Sequence, residues 1–382
     1  MIDSLFWLIL FFLALAIGWG LGRSGISWSA RSHGSVKPIP SYPYVPLLDE
    51  QSDEALQRFI RALEINDSTL DAHLAVGRLL RKRGEVDKAI QLHEGMLANR
   101  QLTNAQSFQV HLELGRDFLA AGVLSRAETL FLELAEEKAV RLAALKGLLR
   151  IYEQEHEWSK AVEVCERLIA EDSYYRSVLA HYFCELAEQD TRHGRPKDAL
   201  GYLEQALQAD SSCLRAFLLQ AKLFSRAERH ADAFSALIQA CRLQPALVGS
   251  VGNDVLEAAG RSGADLEGAL RAVIGEGRGL PVTAAVLVLA RQIAQRSTSE
   301  ALRFVQEHLR AYPSLLALKG WVELCQICGD SGKVAMEDIE GALDKLLLAN
   351  VRYRCERCGF AGKLLHWQCP ACHGWGVVKP LY

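Results

Sequence analysis

Hydrophobic positions divide this chain into three stretches of different character. Residues 5–22 read LFWLILFFLALAIGWGLG, 18 positions without a charge. As a helix they would span about 27 Å, close to the hydrocarbon thickness of a bilayer. Trp7 and Trp19 stand near the two ends, where indole rings favour the headgroup region. Only Asp3 carries a charge ahead of the run, so the basic leader of a signal peptide is missing. The pattern predicts a membrane-spanning anchor over residues 1–22. Arg23, Arg31 and Lys37 follow the run and no Lys or Arg precedes it, which predicts a body on the cytoplasmic side. Residues 23–48 then carry Pro38, Pro40, Pro43 and Pro46 among Ser and Gly. That density excludes helix and predicts an extended linker, either a semi-stiff spacer or a plain strap.

From residue 49 to 350 the apolar positions keep the helical period, and they repeat. Small residues opening a second helix recur at Ala55, Ala89, Ala127, Ala161, Ala199, Ala233, Gly268 and Ala301, at intervals of 33 to 38 residues. Twelve positions before most of them stands another small or apolar residue: Gly77, Gly115, Leu149, Ala187, Ala221, Leu256 and Leu289. Gly84, Gly122 and Gly194 break the paired helices, and Pro245 and Pro313 close two units. This resembles the tetratricopeptide repeat, in which small residues let two helices approach and large ones fill the groove to the next pair. One pair cannot bury its apolar face alone, so about eight units would stack into a superhelix, followed by a degenerate pair over 315–349. The fold class is therefore all-α, with a small metal knuckle at the C-terminus.

Composition and charge narrow the function. The chain has 382 residues, 23% of them charged, and a formal net charge of −3. That balance argues against a protein that mainly grips nucleic acid. His73, His93, His111, His156, His181 and His193 are scattered without a shared pattern and read as surface or packed residues. The charged positions of the array read mostly as solvated helix faces, and nothing in it suggests catalysis. Cys325 and Cys328 form a Cys-x-x-Cys pair on a helical pattern with no second pair at knuckle spacing, so they read as packed thiols.

The tail, residues 351–382, reads VRYRCERCGFAGKLLHWQCPACHGWGVVKPLY. Cys355 and Cys358 form one Cys-x-x-Cys pair, and Cys369 and Cys372 form another. Together they supply four thiolates, a closed tetrahedral set. Gly359 permits a positive φ just past the first pair, and Pro370 stiffens the second. Arg352, Arg354, Arg357 and Lys363 offer compensating charge; the tail is formally +4 against a body of −7. His366 and His373 are substitute donors, but four sulfurs already complete a shell. Some 30 residues cannot bury enough apolar surface to fold alone, whereas metal binding supplies about 10–16 kcal/mol. Four thiolates suit zinc and iron alike.

The runs YRCERCGF and LHWQCPACHGWGVVKP, with Trp367 and Trp375 among them, resemble the rubredoxin-type ending of the lipopolysaccharide assembly protein B family. The order of anchor, repeats and knuckle resembles that family along the whole chain, although the repeats are divergent. The resemblance implies a regulatory adaptor in the inner membrane of a Gram-negative bacterium, with no enzymatic activity of its own. It implies as partners the membrane protease FtsH, the deacetylase that commits precursor to lipid A, an inner-membrane lipopolysaccharide sensor and other lipopolysaccharide assembly proteins. A homodimer is compatible with it; nucleic acid is not expected. It further implies that Cys355, Cys358, Cys369 and Cys372 hold one rubredoxin-type iron, with zinc as the alternative, and dock the knuckle on the repeats. The competing functions are a rubredoxin-like electron carrier, for which no flavin or nicotinamide motif is present, and a general membrane-tethered interaction scaffold.

Overall fold

A computed structural model describes residues 69–98, 102–277, 282–327, 343–344 and 351–381. The apolar run over 5–22, the linker, the first unit around Ala55, Cys328 and most of 328–350 lie outside the described residues. Among the described residues, no helix is long and apolar enough to cross a membrane.

Fifteen helices of the array are described. They run α1 Leu70–Lys82, α2 Val86–Leu97, α3 Asn104–Ala120, α4 Leu124–Leu134, α5 Arg141–Glu155, α6 Trp158–Ile169, α7 Tyr175–Arg192 and α8 Pro196–Ala209. Then come α9 Leu214–Arg226, α10 His230–Leu243, α11 Val248–Ser262, α12 Leu266–Glu276, α13 Thr283–Ala294, α14 Thr298–Ala311 and α15 Leu315–Ile327. Nearly every helix packs on its sequence neighbour, α12 packing on α10 and α13, and α1–α3, α3–α5, α7–α9, α11–α13 and α13–α15 also meet, as in a tetratricopeptide superhelix. Ala89, Ala127, Ala161, Ala199, Ala233 and Ala301 are each the fourth residue of the second helix of a pair, and each is fully buried. One turn further on, His93, Phe131, Cys165, Leu203, Leu237 and Val305 fill the space between pairs. Phe131 shows why small residues are needed opposite them. A Cβ on Gly115 would lie 2.7 Å from its ring and one on Gly147 2.6 Å, so the ring is wedged between α3 and α5.

The turn inside a pair needs a residue in the left-handed region. Gly84, Gly122, Gly194 and Gly263 supply it, while His156 and Glu228 take the same conformation at φ +57°. One expectation needs correction. Gly268 is not the crossing residue of α12: it is exposed, and its N–H donates to the capping Asp265 at 2.9 Å. Ala269, the fourth residue of that helix, packs on the core instead. A few array charges are exceptions to the mostly solvated pattern. Glu113, Asp117, Asp190 and Arg215 are buried. Arg81 reaches Glu113 at 2.6 Å and also Asp117, and Arg215 reaches Glu185 and Glu188 at 2.8 Å each. These pairs tie neighbouring units across faces that periodicity alone assigns to water.

The tail departs from the helical rule. Its short segments pair as a three-stranded antiparallel sheet in the order β2–β1–β3, with β1 Tyr353–Cys355, β2 Ala361–Gly362 and β3 Val378–Pro380. Cys355 stands opposite Val378 in that register. The knuckle's own core is small: Cys355, Cys369 and Val378 are buried, with Tyr353, Phe360, Leu365, Cys372 and Val377 packed against them.

Candidate metal centre

The two Cys-x-x-Cys segments fold into the same turn. Cys355 donates its N–H to the Phe360 carbonyl at 2.7 Å and accepts from Gly359 at 2.9 Å. Cys369 likewise donates to Gly374 and accepts from His373, both at 2.9 Å. The fifth residue of each turn has positive φ, +77° at Gly359 and +53° at His373. The glycine was legible in the sequence as the residue that permits this bend; the histidine pays a modest strain for the same geometry.

These turns bring all four sulfurs within 4.8 Å of one another. Cys355 Sγ lies 3.7 Å from Cys372 Sγ, and Cys358 Sγ lies 3.7 Å from Cys369 Sγ. A tetrahedron with metal–sulfur bonds of about 2.3 Å has an edge of about 3.8 Å. The cluster therefore has the size and donor set of a four-thiolate site, and it is a rubredoxin-like metal-binding site. Desolvation opposes ionisation at Cys369, but N–H groups of Cys372 and Ala371 and the Cys358 thiol outweigh it and bring its thiol down to about 7. His366 and His373 stand outside the cluster; His366 instead meets the Phe360 ring edge-on, with centroids 6.0 Å apart. Arg352, Arg354, Arg357 and Lys363 are exposed around it.

The knuckle is seated on the array through aromatic residues. Trp375 is 6% exposed and belongs to the core formed by α3 to α9. Its indole stacks on His181 with centroids 5.3 Å apart and meets Tyr182 edge-on at 5.9 Å. Trp367 also approaches His181, with ring centroids 6.2 Å apart. Glu153, near the end of α5, gathers the donors: Trp375 Nε1–H at 2.9 Å, Tyr182 O–H at 2.6 Å and the Gln368 amide at 3.5 Å. A further hydroxyl contact joins Tyr353 to Ser250 on α11 at 3.2 Å. Burial, reinforced by Arg215, pulls His181 down to about 3, so its ring is neutral under the indoles.

Sequence reasoning missed Glu153, Tyr182 and His181, having read His181 as one of several scattered histidines. The available signal lay in the tail. Trp367 and Trp375 are large aromatics in a segment whose own core is a handful of side chains, and they needed cover from elsewhere. Cys325 is half-buried on α15.

Comparison with known proteins agrees with this layout. The family described as "Rubredoxin metal binding domain" matches residues 353–380. Tetratricopeptide repeat families match residues 72–104, 112–176 and 186–247. Lipopolysaccharide assembly protein B of Escherichia coli (strain K12) is 30% identical over 391 aligned positions, covering 100% of this chain and 98% of its own. The protein of the same name from Haemophilus influenzae is 27% identical, with coverage of 100% and 98%. Among solved structures, a crystal structure of MamA overlaps 48% of this chain and 96% of its own, at 16% identity and a TM-score of 0.35.

Proposed function

This chain belongs to the lipopolysaccharide assembly protein B family, and from that membership we propose that it regulates lipopolysaccharide synthesis as a membrane-tethered adaptor, not as an enzyme. On this reading the apolar run over 5–22 anchors it in the inner membrane, with the repeats on the cytoplasmic side. The array presents the deacetylase that commits precursor to lipid A to the membrane protease FtsH, and an inner-membrane lipopolysaccharide sensor sets how much is presented. Other lipopolysaccharide assembly proteins and a second copy of the chain are further candidate partners. The four cysteines hold one iron, or zinc in its place, as a brace for the knuckle.

The observation that carries the adaptor reading is the burial of Trp375 in the core of the repeats, with its N–H on Glu153. A knuckle seated on a solenoid through a buried indole in this way braces a binding surface. The test is the lifetime of the deacetylase in cells depleted of this protein. It should lengthen several-fold, and lipopolysaccharide should rise. Restoring the wild-type chain should shorten the lifetime again, whereas a Trp375→Ala chain should do so poorly. An unchanged deacetylase lifetime on depletion sinks the proposal. Metal analysis of the chain purified from its own membranes distinguishes iron from zinc.

A further inference from the structure

Two array cysteines lie against each other with no part in the metal centre. Cys184 on α7 and Cys213, the residue that caps the start of α9, have their sulfurs 3.9 Å apart. Cys184 is 0% exposed and Cys213 4%. Their neighbours differ from those of the other buried array thiols. Cys165 donates to the Tyr175 carbonyl at 3.3 Å, and burial alone pushes Cys241 up to about 12.

The pair is asymmetric. Cys213 is held below the ordinary thiol range by the hydrogen bond it shares with Cys184, against desolvation, with help from the Ala216 N–H at the start of α9. Cys184 is pushed up by that same hydrogen bond and by burial. The guanidinium of Arg215, itself buried, favours negative charge on both sulfurs. Cys213 also faces a cavity of about 80 Å³ at the seam between array and knuckle. His181 and Asp210 line it from the array, and Trp367, Gly376 and Lys379 from the knuckle. About 10–15 Å³ of space open to a water-sized sphere is enough to hold one water, so the cavity accommodates a small peroxide.

We propose that Cys184 and Cys213 form a reversible disulfide in response to hydrogen peroxide, and that this bond loosens the seat of the knuckle. The Cys213 thiolate attacks one peroxide oxygen; the O–O bond breaks, and the leaving hydroxide takes a proton to become water. The resulting sulfenic acid is attacked by Cys184 sulfur; the S–S bond forms, the S–O bond breaks and a second water leaves. Two thiols lose two electrons and two protons, and one peroxide becomes two waters. To bond, the sulfurs must close from 3.9 Å to about 2.05 Å. That movement draws the start of α9 towards α7. His181, three residues before Cys184, lies beneath Trp375, and Cys213 shares the cavity wall with Trp367, so the closure acts on both sides of the seat.

The full-length chain, reduced and metal-loaded in detergent, would be treated with graded hydrogen peroxide and digested without reductant. The expected product is a linked peptide pair containing Cys184 and Cys213, reversed by dithiothreitol. Amide exchange over residues 367–376 should accelerate about tenfold in the oxidised chain while metal content stays constant. A Cys184→Ser chain should instead stop at a Cys213 sulfenic acid that a dimedone probe captures. Cys213 remaining a free thiol after the metal-site cysteines have been oxidised overturns the disulfide. A disulfide that leaves exchange over 367–376 unchanged overturns the coupling to the knuckle. Neither result bears on deacetylase lifetime, so this proposal and the adaptor reading fail separately.

Discussion

Removing the indole N–H of Trp375 should release the knuckle without disturbing the repeats. In Trp375→Phe the ring still stacks on His181 and meets Tyr182, but the 2.9 Å hydrogen bond to Glu153 is gone. A hydrogen bond to a charged group contributes about 1.5–3 kcal/mol, and each 1.4 kcal/mol is tenfold in an equilibrium constant, so knuckle opening should become roughly ten- to a hundredfold more frequent. Glu153→Ala should cost more, about 3–5 kcal/mol, because it strands both the Trp375 N–H and the Tyr182 O–H, which donates at 2.6 Å. The double variant separates the shared term. If the indole and the carboxylate hold the knuckle through each other, the two costs overlap by about 1.5–3 kcal/mol. Amide exchange over residues 367–376 in metal-loaded protein reads the opening free energy. Costs that simply add, to within about 0.5 kcal/mol, would refute the reasoning. They would leave ring packing alone as the attachment.

Cys358→Ser should remove the metal and expose the tail to protease, while circular dichroism still reports a helical array; retained metal at full stoichiometry would overturn the four-sulfur assignment. His181 is pulled down to about 3, so between that value and its ordinary 6.5 the opened state binds a proton that the docked state excludes. Docking should therefore be at full strength above about pH 6.5 and weaken by up to about 1.4 kcal/mol per unit as pH falls below it, and His181→Gln should lose that one-proton slope in exchange measured from pH 7 to 5. Gly147→Ala drives a Cβ to 2.6 Å from Phe131 and should lower stability by about 1–3 kcal/mol in urea unfolding. Gly201→Ala on α8 meets nothing within 4 Å and should raise it by about 0.5–1 kcal/mol.

What could be read from the sequence was whatever repeats or sits close together in it. The alanines at Ala89, Ala127, Ala161, Ala199 and Ala233 mark the helix pairs because the same crossing imposes the same small residue each time. The register slipped at Gly268 because two adjacent positions are both small there, and only the Asp265 cap decides which of them starts the turn. The four sulfurs were legible because each ligand pair lies within one turn. The seat was not. Glu153 and Trp375 are 222 residues apart, and a glutamate on a helical run carries no mark that separates a solvated face from a half-buried acceptor. Arg215 is unmarked for the same reason, since its partners Glu185 and Glu188 lie in the preceding unit.

The seat also changes what the metal does. Cys355, Cys369 and Val378 make too small a core to hold the tail, so the ordered knuckle rests on two supports, the four-thiolate shell and the face under Trp375. Whatever factor metal binding adds to docking, docking must add to metal affinity, because the two equilibria share the same ordered state. Trp375→Ala should therefore weaken metal binding although Trp375 is no ligand. The loss should match, in fold-change, the rise in knuckle opening that metal removal causes in the wild-type chain. Competition with a chelator measures the first and amide exchange over residues 367–376 the second. Factors of about one in both measurements would mean that shell and seat order the tail independently. Equal factors well above one would make the knuckle a reporter through which the metal state reaches α5 and α7, the helices that carry Glu153, His181 and Tyr182.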